Sequence, residues 1–272
     1  GDLSGAVSLT GAASVVASAA GVTVSVSLSE GQRAAALQMS GTAGGDADGA
    51  VFVVVAAGAV TDVAGNGVAA ATVQAAETGD SDAPALLSAE MDYGTGVLTV
   101  VCDETMKVTA ESGLDLGQWS IGAAGSSVGT VSLAGATYAA TTGTTFALTL
   151  SAVQRAEAVK VSGTAGGSGT ADTPAVLHVG AGGFSDVAGV ANTAVAALAF
   201  VTETGDSAGP TVSSASVDYS SGVLTLTLSE VCLVPSAGAS LGKLWLSDVS
   251  VAADGDLSGA VSLTGAASVV AS

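Results

Sequence analysis

GVLTLTLS, residues 222–229, is the stretch that decides the fold. Leu224, Leu226 and Leu228 fall on one face, and Val223, Thr225 and Thr227 on the other. Strict period-two alternation is the mark of a half-buried β-strand. GVLTVVC, residues 96–102, restates it 126 residues earlier with Leu98, Val100 and Cys102 in the same phase. Residues 22–28 (VTVSVSL), 145–150 (TFALTL) and 50–55 (AVFVVV) predict further strands. Clusters of Gly, Ser, Asp and Thr lie between these runs, where turns belong. Only 32–37 and 154–159 suggest helix, each a short one before a strand.

The strand recurrence belongs to a larger pattern. Residues 1–18, GDLSGAVSLTGAASVVAS, return letter for letter at 255–272, an offset of 254. Chance does not produce an 18-residue identity in one chain. The simplest account is a longer parent chain that repeats every 254 residues, with Ser272 followed by a copy of Ala19. That account requires the two copies to occupy equivalent environments.

A weaker repeat of about half that length lies inside it. Asp92-Tyr93 recurs as Asp218-Tyr219, Glu104 as Glu230, Trp119 as Trp245 and ETGD 77–80 as 203–206, all 126 residues apart. SGTAGG 40–45 returns at 162–167, and DVAG 62–65 at 186–189, at slightly shorter offsets. The expected domains are therefore 1–80, the later part of one unit; 81–206, a complete unit of 126 residues; and 207–272, the beginning of the next. Residues 207–254 supply 48 residues and 1–80 the other 80 of a 128-residue unit. Each unit is long enough for its own core. Several short strands per unit predict an all-β chain of tandem β-sandwich domains.

Composition narrows the function. Five Lys and Arg stand against 24 Asp and Glu, a net charge of −19, which excludes the basic patch that nucleic acid requires. It also opposes docking on an anionic membrane. Mean hydropathy is +0.63, but Ala, Val and Gly are spread evenly and no run approaches the ~20 apolar residues of a membrane span. Neither Asn66 nor Asn192 begins an N-glycosylation sequon; the abundant Ser and Thr leave O-linked glycan open as a partner.

Several residues were weighed as sites. Cys102 and Cys232 occupy non-equivalent positions, one per unit, so no intersheet disulfide is available within a unit. The expectation is two buried thiols acting as small hydrophobes, the alternative a cross-link between domains or chains. His178 is the only histidine and nothing repeats around it, which opposes a Ser-His-Asp triad or a His-rich zinc site. Trp119 and Trp245 are expected in the core with Leu224, Leu226 and Leu228, against the alternative of a sugar-stacking platform. Tyr93 and Tyr219 are expected to cap the sandwich. GTAGGSG, residues 163–169, lacks the Lys and following helix of a phosphate loop and reads as a hairpin loop between strands. Glu77, Asp80 and Asp82, then Glu203 and Asp206, gather at the unit boundaries and are the candidate calcium ligands. The competing reading is a solvated acidic turn, since Asp82 becomes Ala208 in the other copy. No catalytic residue and no other cofactor is expected.

The order Ala83-Pro84, Ser88-Ala89, Gly96-Val97-Leu98-Thr99, Glu104 and Ser185-Asp186-Val187-Ala188-Gly189 resembles the bacterial-type immunoglobulin-like repeats of giant extracellular surface proteins. Thr61-Asp62-Val63-Ala64-Gly65-Asn66 matches their closing motif fully, and the copy at 185–190 lacks the Asn. The resemblance covers nearly all of both units and implies an immunoglobulin-like sandwich in adhesins and fibre stalks, with no single activity. The leading expectation is a non-enzymatic structural repeat in the shaft of an extracellular filament or hair, its partners being copies of itself. One variant has the strand-like Ala6–Leu9 pairing with a neighbouring unit. The alternatives are a calcium-rigidified adhesin stalk and a carbohydrate-binding accessory module.

Overall fold

The computed structural model describes residues 5–17, 21–41, 45, 47–109, 113–165, 167, 169–232, 250–253 and 256–262. It is built mainly of strands, arranged in several sheets, with two short α-helices among the described residues. Two compact units are present, 1–206 and 207–272, and their boundary coincides with a boundary of the sequence repeat. No described helix is long and apolar enough to cross a membrane.

In the first unit, β1 (Ser14–Ala17), β2 (Val24–Ser27), α1 (Glu30–Gln38), β3 (Phe52–Val55) and β4 (Ala71–Gln74) precede the complete repeat. That repeat runs β5 (Leu86–Asp92), β6 (Val97–Val108), β7 (Trp119–Gly122), β8 (Val131–Ser132), β9 (Thr137–Tyr138), β10 (Thr141–Thr149), α2 (Ala152–Val161), β11 (Val176–Val179), β12 (Val195–Ala199) and β13 (Thr202–Thr204). Its strands form a five-stranded sheet, β13-β5-β6-β10-β9, and a four-stranded sheet, β12-β11-β7-β8. All pairings are antiparallel except β13 with β5.

Sequence alternation explains the core between the two sheets. Leu98, Val100 and Cys102 of β6 are buried, as the period-two pattern requires. Trp119 of β7 is fully buried and meets Phe146 of β10 edge-on, with centroids 5.9 Å apart and planes at 76°. Its other ring neighbour is Phe184, at 5.7 Å. Trp119 thus spans the space between the sheets, and its Nε1 donates to Gly183 O at 2.9 Å. The buried indole offers no surface for stacking a sugar. Tyr93 is also fully buried.

Both helices start in the same way. Ser29 and Gln32 form a capping box on α1, and Ser151 and Gln154 form one on α2. The amide of Gln32 also reaches Ser8 O and Thr10 O, while that of Gln154 reaches Ser132 O and Ala134 O. Each short helix is thereby tied to an otherwise distant loop. The Gly163 stretch follows directly on α2 rather than joining two strands, which corrects the hairpin reading. The helix suggested at 154–159 extends to Val161 and moves the loop's start.

Before the complete repeat the sheets are only two strands wide: β1 with β2, and β3 with β4. The second unit holds two more such pairs, β14 (Val212–Asp218) with β15 (Val223–Leu228) and β16 (Ser250–Ala253) with β17 (Asp256–Ser262). Leu224, Leu226 and Leu228 share the less exposed face of β15, in the expected phase. Trp245 lies outside the described residues.

The duplicated segments differ. Residues 259–262 lie in strand β17, whereas the same letters at 5–8, and the strand expected at Ala6–Leu9, form turn and coil. Environment accounts for the difference: β17 is paired with β16, whereas among the described residues 5–8 pair with no strand and the N-terminal copy enters a sheet only at β1. The rest of the comparison, at 1–4, 18, 255 and 263–272, lies outside the described residues.

Candidate functional site: an acidic cluster between repeats

Three carboxylates from separated parts of the sequence converge where residues 1–80 meet the complete repeat. Asp80 ends the first segment, Glu104 lies in β6, and Asp186 opens the D-V-A-G turn. One carboxylate oxygen from each lies within 4.8 Å of the others. Strand and turn are held in register by a bridge between Met106 and Asp186 and by the Val187 N–H donating to Thr105 O at 3.1 Å. The turn is fixed by Asp186 Oδ1, which accepts from Ala188 N and Val190 N at 2.8 Å each. Gly189 closes it at φ +83°, in the left-handed region that a side chain disfavours. Asp62 makes the same turn with Ala64 N and Asn66 N.

Helix α1 supplies the countercharge. Arg33 Nε contacts Glu30 Oε2 at 2.7 Å, Nη1 contacts Asp80 Oδ2, and Nη2 lies 3.4 Å from Glu104 Oε1. Glu30 Oε1 accepts the Thr105 N–H at 2.7 Å, which ties the helix to β6. Beside these charges, Ala34 and Leu37 pack against Val187, with Ala188 at the edge. The junction therefore combines a small apolar contact with a guanidinium shared among carboxylates.

The charges do not balance. Glu30, Asp80, Glu104 and Asp186 face one arginine. Asp186 is 3% exposed, yet its Oδ2 has no hydrogen-bond partner, and Glu104 Oε2 is likewise buried without one. With both carboxyls ionised, neither oxygen has a donor; a proton held between them or a bound cation would supply what is missing. Burial pushes the Glu104 pKa up to about 7, and the nearby Asp80 and Asp186 charges outdo part of the opposing pull of Arg33. Burial alone would also raise Glu30, but hydrogen bonds from Arg33 and Thr105 outweigh it and hold that carboxyl below its ordinary range. The Glu30 hydrogen bond, with Asp80 beside it, raises Arg33, which stays charged.

Of the five expected ligands, only Asp80 joins this cluster. Asp82 is exposed, and its N–H donates to Asp80 Oδ1 at 3.1 Å. Glu77 accepts the Val51 N–H at 3.1 Å. Glu203 is a structural latch that accepts from Tyr93 OH, Ser162 Oγ, Thr164 Oγ1 and Ala175 N. Burial, together with Glu203, raises the Tyr93 pKa, so the phenol remains a donor. Asp206 lies 3.9 Å from Arg155 Nη2, the counterpart of the Arg33–Asp80 pair. Glu104 and Asp186, which complete the cluster, are not among the expected ligands. Their signal was present, since Glu104 recurs as Glu230 and Asp186 as Asp62, but they lie far from the boundary in sequence.

The remaining candidates are placed as follows. Cys102 is 2% exposed, and burial, with the Asp103 charge, pushes its pKa up to about 12, so it packs as a neutral thiol. Cys232 is half-buried and free, with its thiol 3.5 Å from Glu230 O. His178 lies in β11, 7% exposed, and its Nε2 has no partner. Comparison with family models, with curated proteins and with solved structures finds no match to the chain.

Proposed function

We propose that this chain is a structural repeat of a longer extracellular protein, in which immunoglobulin-like sandwiches follow one another along the shaft of a filament or hair. The observation that carries this reading is the junction itself. A helix of one repeat presents Arg33 to Glu104, and Ala34 and Leu37 to Val187, of the next. Such a contact resists bending between neighbours, and stacking on neighbours is how repeat arrays gain stability. The 18-residue identity at an offset of 254 supports it, because identical units make identical contacts along a fibre. The acidic surface suits a repetitive chain that has to stay soluble.

A second reading is favoured by the unpartnered oxygens of Glu104 and Asp186: a stalk stiffened by calcium at each junction. Calcium takes six to eight oxygens, and these carboxylates supply part of that set while Arg33 competes for it. The test is electron microscopy of the full-length native protein with and without EDTA. Regular straight filaments under both conditions are expected from the first reading. Strings that stiffen only with Ca²⁺ would replace it with the second, and isolated globular particles would contradict both.

A further inference from the structure

The four two-stranded sheets match, piece by piece, the two sheets of the complete repeat. Repeat alignment sets β14 and β15 against β5 and β6, and β2 against β10. The hairpin β16–β17 pairs Ser250 with Ser262 and Val251 with Val261, just as β7–β8 pairs Ser120 with Ser132 and Ile121 with Val131. Joined edge to edge, the pairs give β14-β15-β2-β1 and β4-β3-β16-β17. The complete repeat has β5-β6-β10-β9, with β13 added beside β5, and β12-β11-β7-β8.

The apolar faces agree. Val24 and Val26 of β2 are 48% and 39% exposed, while their counterparts Phe146 and Leu148 are 4% and 0%. In β3, Val53 is 46% exposed where Leu177 of β11 is 0%. Tyr219 is 88% exposed, yet its counterpart Tyr93 is fully buried on Glu203. The counterpart of Glu203 is Glu77, which already holds the Val51 N–H as Glu203 holds that of Ala175. Val63 of the other D-V-A-G turn is 109% exposed where Val187 is 6%.

We propose that the occupant of these faces is a second copy of this chain: residues 207–262 of one copy and 14–80 of the next close into one composite domain. The inference rests on the tandem-repeat reading of function and adds the partner and the register. In the complete repeat Ala147 opposes Thr99, which places Ser25 of one copy opposite Thr225 of another. Tyr219 then reaches Glu77 across the copies, and α2 of the first copy meets Val63 of the second. Closure of this kind is head-to-tail and therefore open-ended.

The test uses the full chain carrying Ser25→Cys, Thr225→Cys and Cys232→Ser, oxidised and run on a denaturing gel. A ladder of dimers, trimers and higher species is expected. The slipped pair Val24→Cys with Thr225→Cys should cross-link at least about tenfold less, because one residue of slip turns the side chain to the other face. Monomer-mass products alone, or equal cross-linking of the slipped pair, would overturn the proposal. A doubled chain, residues 1–254 followed by 1–272 with the same substitutions, separates the two readings. Cross-linking inside it but not between separate copies would overturn self-association and leave the tandem-repeat function standing. Cross-linking in neither would overturn both.

Discussion

At the scale of single residues, Arg33 and Glu104 oppose each other in sign and in pH behaviour. Glu104 titrates near 7 in the folded chain, against its ordinary 4.5. A carboxyl with a raised folded pKa binds more protons folded than unfolded, so its contribution to stability is full below about 4.5 and is lost as the pH rises through 7. Glu104→Gln should therefore flatten the fall in melting temperature between pH 5 and pH 8; an unchanged slope would place the titration elsewhere. Arg33→Met removes the cation that pairs with Glu30, Asp80 and Glu104 and leaves partly buried carboxylates facing each other. A loss of about 2 kcal/mol is expected, between the values for exposed and buried pairs, measurable by urea unfolding. Trp119→Ala should cost about 3–5 kcal/mol, as large buried aromatics do. Glu77 and Glu203 look like ion ligands in sequence because both sit in ETGD next to a boundary. The fold turns Glu203 instead toward Tyr93 and Ser162, which nothing local in the sequence announces.

At the scale of elements, alternation made the strands legible and the capping pattern made the helices so. The phase of Leu98, Val100 and Cys102 carried over unchanged into burial. Strand length was less visible: β6 continues from Val97 to Val108 because its far end is held by β10 across a register shift between Gly143 and Thr145. The cluster was hardest to see because its members are brought together only by long-range contacts: Glu30 meets Thr105, and Asp186 meets Met106. The helices depend on their caps. Ser29→Ala and Ser151→Ala should each cost about 1 kcal/mol. Only Ser29→Ala should also loosen the junction, seen as faster hydrogen exchange at the Thr105 amide. Equal exchange in both variants would mean that α1 does not govern the contact. The identical letters at 5–8 and 259–262 adopt coil in one place and strand in the other. Pairing, supplied here by β16, decides conformation for a segment of small residues with weak preferences of its own.

At the scale of the molecule, the proposed function needs repeats that are stiff where they meet. The 18-residue identity at an offset of 254 could be read directly, whereas the contacts where residues 1–80 meet the following segment could not. The junction holds an arginine among carboxylates with a small apolar contact beside it, and two carboxylate oxygens there await a proton or a cation. Pulsed electron spin resonance tests this most directly, with labels at exposed positions in 1–80 and in the complete repeat, such as Asp48→Cys and Val128→Cys in a Cys232→Ser chain. A single narrow distance distribution is predicted, unchanged by EDTA and broadened by Arg33→Met. A distribution that is broad in the unsubstituted junction, with and without Ca²⁺, would contradict a stiff junction.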